Sequence, residues 1–202
     1  MCSSDLQTGT QNNAFGYQAL YSSTGNDNAA MGQRAAYSTT SGTDNSAFGS
    51  TALYSNTTGA YNTALGRDAL RLNTTASNNT AVGYQSLYSN TTASNNTAVG
   101  YQAAYANTTG DLNTAIGRLA LYANTTGASN TAVGSGAMVT NSTGAENTAV
   151  GRDALTTNST GNYNTAFGKN ALNSSTTASN NTAVGYQAGY SNQTGTDITA
   201  IG

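Results

Sequence analysis

Side chains that commonly catalyse reactions or bind metals are scarce in this chain of 202 residues. It contains no histidine and no tryptophan, and Cys2 is its single cysteine. Ser-His-Asp triads, Cys-His pairs and the common zinc sites are therefore excluded. Five carboxylates stand in similar turns, at Asp27, Asp44, Asp111, Glu146 and Asp197. Because they form no regular pair and the calcium-binding Gly-Gly-x-Gly-x-Asp pattern is absent, we expect no enzyme and no cofactor, with calcium as the one alternative.

Tyrosine forms two interrupted columns whose rings could bind a ligand. One column directly follows a recurring glycine, and the other lies four residues further along. The candidate surface-binding residues are Tyr17, Tyr21, Tyr84, Tyr88, Tyr101, Tyr105, Tyr122 and Tyr186. Aromatic rings with a polar tip stack on sugar rings, which predicts attachment to a surface glycan or a host receptor. The alternative is that the rings cover the edge of the fold or contact a neighbouring chain.

Threonine recurs in the segment Asn-Thr-Thr, as at residues 90–92 and 107–109. Rows of threonine pose the question of ice binding, which requires a flat face whose threonines all point the same way. Adjacent residues of a strand point to opposite faces, so this segment does not form such a face by itself. An ice-binding β-solenoid is therefore kept as an alternative function.

A motif of the form Asn-Thr-Ala-apolar-Gly positions all of these residues. Its glycine, the motif glycine, occurs twelve times from Gly16 to Gly202 and returns every 17 residues after Gly32. A unit of this length cannot bury its own apolar face and must stack on its neighbours. The absence of proline agrees with continuous hydrogen-bonded ladders and argues against disorder. The period predicts an all-β fold, a β-solenoid or parallel β-roll of about twelve coils.

Each coil contains two pairs of a small and a larger apolar residue, such as Ala64-Leu65 and Ala69-Leu70. These pairs predict two short strands joined by turns. Because neighbouring strand residues point to opposite faces, we expect the larger residue inside and the motif alanine outside. Small outward side chains would let another copy approach closely. We therefore predict a homo-oligomer interface through Ala64, Ala81, Ala98, Ala115, Ala132 and Ala149, the alternative being that alanine fits a tight bend.

Asparagine begins the motif in eleven of its twelve copies, and Ile198 alone breaks the series. When asparagines stack at the spacing of neighbouring strands, each side-chain amide can bond to the next and satisfy the main chain of the turns. We therefore predict a structural ladder that includes Asn62, Asn79, Asn96, Asn113, Asn130, Asn147 and Asn164.

Charge and composition restrict the partners of the chain. The formal net charge is −2, so no basic field exists to bind nucleic acid or anionic lipid. No apolar run approaches the roughly 20 residues that span a bilayer, and we expect no membrane insertion. Residues 1–10 are interpreted as a non-repeat remnant and lead-in. Residues 11–202 form a single predicted solenoid domain, which we interpret as a fragment of a longer protein.

Residues 79–85 read Asn-Thr-Ala-Val-Gly-Tyr-Gln, and residues 181–188 repeat this segment with an added alanine. They resemble the head repeats of trimeric autotransporter adhesins and similar repeats of bacteriophage tail-fibre proteins, although the polar turn is longer here. The resemblance implies a left-handed parallel β-roll assembled as a trimer and displayed outside the cell, on the cell surface or on a virion. We therefore predict an extracellular structural or adhesive fibre segment, with a passive spacer or a self-assembling filament subunit as the alternative.

Overall fold

The computed structural model describes residues 9–202 and contains twelve three-residue strands in one parallel sheet. The strands are β1 (Asn13–Phe15), β2 (Ala29–Met31), β3 (Ser46–Phe48), β4 (Thr63–Leu65), β5 (Thr80–Val82), β6 (Thr97–Val99), β7 (Thr114–Ile116), β8 (Thr131–Val133), β9 (Thr148–Val150), β10 (Thr165–Phe167), β11 (Thr182–Val184) and β12 (Thr199–Ile201). Each strand pairs with its equivalent one coil later. The predicted parallel β-solenoid with a 17-residue repeat is confirmed over about eleven turns. Residues 1–8, including Cys2, lie outside the described residues.

Each strand ends where the motif glycine turns the chain. Gly83, for example, has a φ of +131°, which residues with a side chain rarely adopt. Its N–H donates a hydrogen bond of 2.8 Å to the carbonyl of Leu65 in the preceding coil. A Cβ added to Gly83 would overlap the main chain of Gly100 in the following coil. Close approach between coils therefore requires glycine at this position.

The second strand predicted for each coil is wrong. The five residues after the motif glycine, which we call the arc, form turns in which two residues have positive φ. In one arc Gln85 and Leu87 have φ values of +54° and +49°. Their N–H groups donate to Arg67 in the preceding coil and to Ala103 in the following coil, both at 3.0 Å. The arc thus keeps main-chain hydrogen bonds between coils but curves, because an extended strand would not close a coil of 17 residues.

The two apolar residues of each strand point in the directions opposite to those predicted. Ala81 and Ala98 are fully buried, whereas the larger residues Phe15, Met31 and Leu65 are 63, 50 and 49% exposed. The predicted oligomer interface is therefore wrong, because its residues line the interior of their own chain. These residues are Ala64, Ala81, Ala98, Ala115, Ala132 and Ala149.

The core explains why the small residue is inside. It is a narrow column to which each coil contributes its strand alanine and two residues of the arc, as with Ala64, Ala69 and Leu70, all fully buried. The arc side chains already occupy the centre of the coil, and protein interiors are close-packed. Only a methyl group fits on the strand side, so the larger strand residue points to the surface.

Candidate functional site

A column of buried asparagines runs along the interior just before the strands. In each predicted ladder residue the main-chain N–H donates to Oδ1 of the asparagine one coil earlier, at 2.8–3.0 Å. The Nδ2 of Asn79 also donates to the carbonyl of Ala93 in the next coil at 2.9 Å. These bonds satisfy main-chain groups that would otherwise be unpaired in the core, so the role of the column is structural. The column contains Asn62, Asn79, Asn96, Asn113, Asn130, Asn147 and Asn164.

A second column of buried asparagines, not predicted from the sequence, lies in the turn after the arc. From Asn73 to Asn158, each Nδ2 donates to Oδ1 of the asparagine one coil earlier at 2.7–3.2 Å. The same Nδ2 of Asn90 donates to the carbonyl of Ala93 at 2.9 Å, which closes its own turn. The invariant asparagine of Asn-Thr-Thr was the available signal. The column contains Asn56, Asn73, Asn90, Asn107, Asn124, Asn141 and Asn158.

The first threonine of Asn-Thr-Thr joins neighbouring coils. The Oγ1 of Thr74 donates to the main-chain oxygen of Thr91 at 3.0 Å, and equivalent bonds of 2.9–3.1 Å repeat from Thr57 to Thr125. These hydroxyls are engaged within the chain. They do not form the free row that ice binding would require.

The tyrosines of the arc stack along the rod. Tyr88, Tyr105 and Tyr122 form one stack, with ring centroids 5.1 and 5.3 Å apart and planes within 12°. Beside it, Tyr84 stacks on Tyr101 at 5.5 Å. Ring faces in a stack are turned towards their neighbours, so an approaching sugar would meet mainly ring edges and hydroxyl groups. Burial, followed by the charges of nearby tyrosines, raises the pKa of Tyr105, which keeps this hydroxyl protonated at neutral pH.

A second stack lies nearer the N-terminal end and is joined to the first by a cation. Tyr21, Tyr37 and Tyr54 stack at 5.2 Å. In the next coil Arg71 takes the place of tyrosine, and its guanidinium lies 5.7 Å from the ring centroids of both Tyr54 and Tyr88. Its Nη1 donates to the Tyr88 hydroxyl at 2.6 Å. Arginine therefore continues the column through cation–π contacts.

The two remaining candidate tyrosines are separated from these stacks. Tyr17 and Tyr186 are both more than 60% exposed and lie near opposite ends of the described chain. Lys169 lies 5.5 Å from the ring centroid of Tyr186. The structure thus groups five of the predicted residues in neighbouring coils, places Tyr21 in the other stack, and leaves Tyr17 and Tyr186 apart.

The outer surface of the parallel sheet, which we call the sheet face, carries two columns that flank the buried alanine. One column contains threonine from β4 onwards, and the other contains a larger apolar residue in every strand. Within the described residues, the hydroxyls of these strand threonines make no hydrogen bond, as illustrated by Thr80 and Thr97. Exposed apolar rows of this kind mark interaction surfaces. The apolar column contains Phe15, Met31, Phe48, Leu65, Val82, Val99, Ile116, Val133, Val150, Phe167, Val184 and Ile201.

Metal and membrane features are limited in the part of the chain that the structure describes. Within residues 9–202, no group of three or more His, Cys, Asp or Glu side chains is arranged to hold a metal ion. Over the same range there is no helix with the length and apolar character needed to cross a membrane. No family model, curated protein or solved structure matches the chain. Function is therefore argued from the sheet face and the tyrosine stacks.

Proposed function

We propose that this chain is a segment of an extracellular structural or adhesive fibre, in which copies of the chain associate through the sheet face. The observation that carries the proposal is the exposed apolar column. Phe167 and Val184 are 55 and 42% exposed on a sheet surface where an isolated rod would favour polar groups. Association of copies would remove this column from water in all coils at once.

A second copy of the chain is the partner that fits the column best, because it has the same spacing between coils. The apolar residues repeat with the separation of paired strands, about 4.8 Å. A surface with another period would match only a few of them. The resemblance of residues 79–85 to adhesin and tail-fibre repeats supports three copies around a common axis and display on a cell surface or a virion.

Light scattering on the purified chain tests the association. We expect a molar mass three times the 20.3 kDa of one chain. Replacement of Val82, Val99 and Ile116 by Lys should reduce the mass to that of one chain, because it places charges in the apolar column. The control places three lysines at exposed threonines of the opposite turn, Thr92, Thr109 and Thr126. A wild-type mass of one chain would reject association, and very large species would favour an end-to-end filament.

Attachment to a host glycan or receptor is assigned to the tyrosine stacks. Tyr84, Tyr88, Tyr101 and Tyr105 align hydroxyls and ring edges over two neighbouring coils. Replacement of these four residues by Ser should abolish binding to a glycan array while the mass of the assembly stays the same. The control is replacement of Tyr61 and Tyr163, exposed tyrosines of the turn before the strand. Equal binding by both variants would leave a passive spacer as the function.

Ice binding is a second candidate because the strand threonines form a regular row of free hydroxyls on the sheet face. The row differs from the Asn-Thr-Thr segments, whose first hydroxyl is engaged within the chain. Strand pairing sets its spacing at about 4.8 Å. Thermal hysteresis of the wild type, lost on replacement of Thr80, Thr97 and Thr114 by Leu, would support this function. Ice and a second copy compete for the same face, so an oligomer without hysteresis favours the fibre.

A further inference from the structure

The charged side chains are divided between two edges of the rod. All cations lie in the arcs, on what we call the basic edge: Arg34, Arg67, Arg71, Arg118, Arg152 and Lys169. The turns before the strands form the acidic edge and carry carboxylates without any cation: Asp27, Asp44, Asp111, Glu146 and Asp197. The other described carboxylates, Asp68 and Asp153, lie in the arcs and pair with neighbouring arginines. The sheet face lies between two edges of opposite charge.

Three coils carry opposite charges on both sides of the same strand. Asp27 precedes β2 and Arg34 follows it, while Asp111 and Arg118 flank β7 in the same way. Glu146 and Arg152 flank β9. Asp44 and Asp197 lie in coils whose arcs contain no cation, so the matching rests on these three pairs.

The members of each pair are exposed and do not bind each other. The described ion pairs of the chain join Arg67, Arg71 and Arg152 to carboxylates of their own arcs. None of them involves Asp27 or Glu146, whose side chains make no hydrogen bond within the described residues. Arg118 likewise has no described ion pair. The acidic edge therefore presents unpaired charges at the same heights along the rod as cations on the basic edge.

We infer that the partner on the sheet face is a second copy aligned parallel and in register, whose basic edge meets the acidic edge of the first. This inference rests on the proposed self-association. Rotation about an axis along the rod keeps every coil at its own height and brings the acidic edge of one copy opposite the basic edge of the next. Asp27, Asp111 and Glu146 then lie at the heights of the partner's Arg34, the partner's Arg118 and the partner's Arg152.

An antiparallel partner does not fit these charges. Turning one rod end over end places acidic edge against acidic edge and matches coils of different heights. Exposed ion pairs contribute little to affinity, but like charges facing each other disfavour an arrangement and so determine orientation and register. The apolar column drives association, and the charged edges select the parallel arrangement.

Charge reversal on one edge and then on both edges tests the inference. The one-edge variant carries Asp27→Arg and Glu146→Arg, which should weaken self-association about tenfold or more at low ionic strength. The two-edge variant adds Arg34→Asp and Arg152→Glu, which makes the edges complementary again and should restore association. Asp111 is left unchanged because its carboxylate accepts a hydrogen bond from the N–H of Ser94 at 2.6 Å. Arg34 itself has a φ of +54°, close to that of Asp27 and Glu146, so these turns accommodate arginine.

The measurement is the concentration dependence of molar mass by sedimentation, with circular dichroism melting as the check on folding. A one-edge variant that associates like the wild type, or a folded two-edge variant that stays as weak as the one-edge variant, would overturn the inference while the proposed function stands. A wild-type chain that is monomeric overturns both. The isosteric variant Asp27→Asn with Glu146→Gln supplies the test if a reversal fails to fold. It should weaken association less than reversal, and salt should reduce the difference from the wild type.

Discussion

The side-chain oxygen of Asn62 accepts two hydrogen bonds from Asn79, one from its main-chain N–H at 3.0 Å and one from its Nδ2 at 3.2 Å. The same Nδ2 donates to the carbonyl of Ala93 at 2.9 Å. One buried amide thus joins three consecutive coils. The solenoid is held together by polar contacts within its core as well as by the strand ladder.

Replacement of Asn79 by Ala should therefore cost more than loss of a surface hydrogen bond. It leaves the N–H of Asn96 and the carbonyl of Ala93 without their buried partner. Each unsatisfied group costs about 1–3 kcal/mol, so we expect the free energy of unfolding to fall by about 2–4 kcal/mol. Urea denaturation measures the change. Thr92→Ala, at an exposed position of the neighbouring turn, is the control and should change stability by less than about 0.5 kcal/mol.

Adjacent strand positions should respond differently to a change of size. Ala98→Leu inserts methyl groups into the filled core and should lower the free energy of unfolding by about 1–3 kcal/mol or more. Val99→Ala removes atoms from the outer surface of the same strand and should cost about 1 kcal/mol or less in the isolated chain. The substitution at Val99 should instead weaken self-association. Thermal melting with light scattering separates the effects, and equal melting of the two variants would contradict the assigned orientation.

Two glycines should differ sharply in their tolerance of a side chain. Gly83→Ala places a Cβ against the main chain of Gly100 and should destabilise the fold by about 3 kcal/mol or more. Gly136, with a φ of +74°, is the control because a Cβ there would meet only the carboxylate of Asp153, the end of a flexible side chain. Asn170 occupies the equivalent arc position in a later coil with a φ of +59°. Gly136→Asn should therefore be nearly neutral in a denaturation experiment.

Alkaline conditions should destabilise the stacked tyrosines. The pKa of Tyr105 is raised in the folded chain, so the folded state holds its proton over a pH range in which the unfolded chain has lost it. The resulting stability is present below the unfolded pKa of about 10 and is lost as pH rises through the folded pKa. Melting temperatures between about pH 8 and 11 should fall less steeply in Tyr105→Phe than in the wild type. Parallel curves would show that Tyr105 does not contribute to the loss.

The sequence by itself determined the period, and the period determined the architecture. An Asn-Thr-Ala-apolar-Gly motif repeated every 17 residues has one structural solution, a parallel solenoid, because each unit needs neighbours to pair its strand and bury its apolar side. The ladder through Asn62 and Asn79 was also predictable. A polar residue that recurs in register needs the same hydrogen bonds in each coil.

Only the tertiary structure decided which side of the strand is inside. Alternation states that Ala98 and Val99 point apart, but it does not state which of them faces the core. That choice depends on the space left by residues such as Leu87 and Leu121, which reach the interior from arcs with alternating positive φ. The same curvature placed the second asparagine column inside. Apolar surface is buried where the closed coil leaves room for it, and the width of that coil is a property of the whole turn.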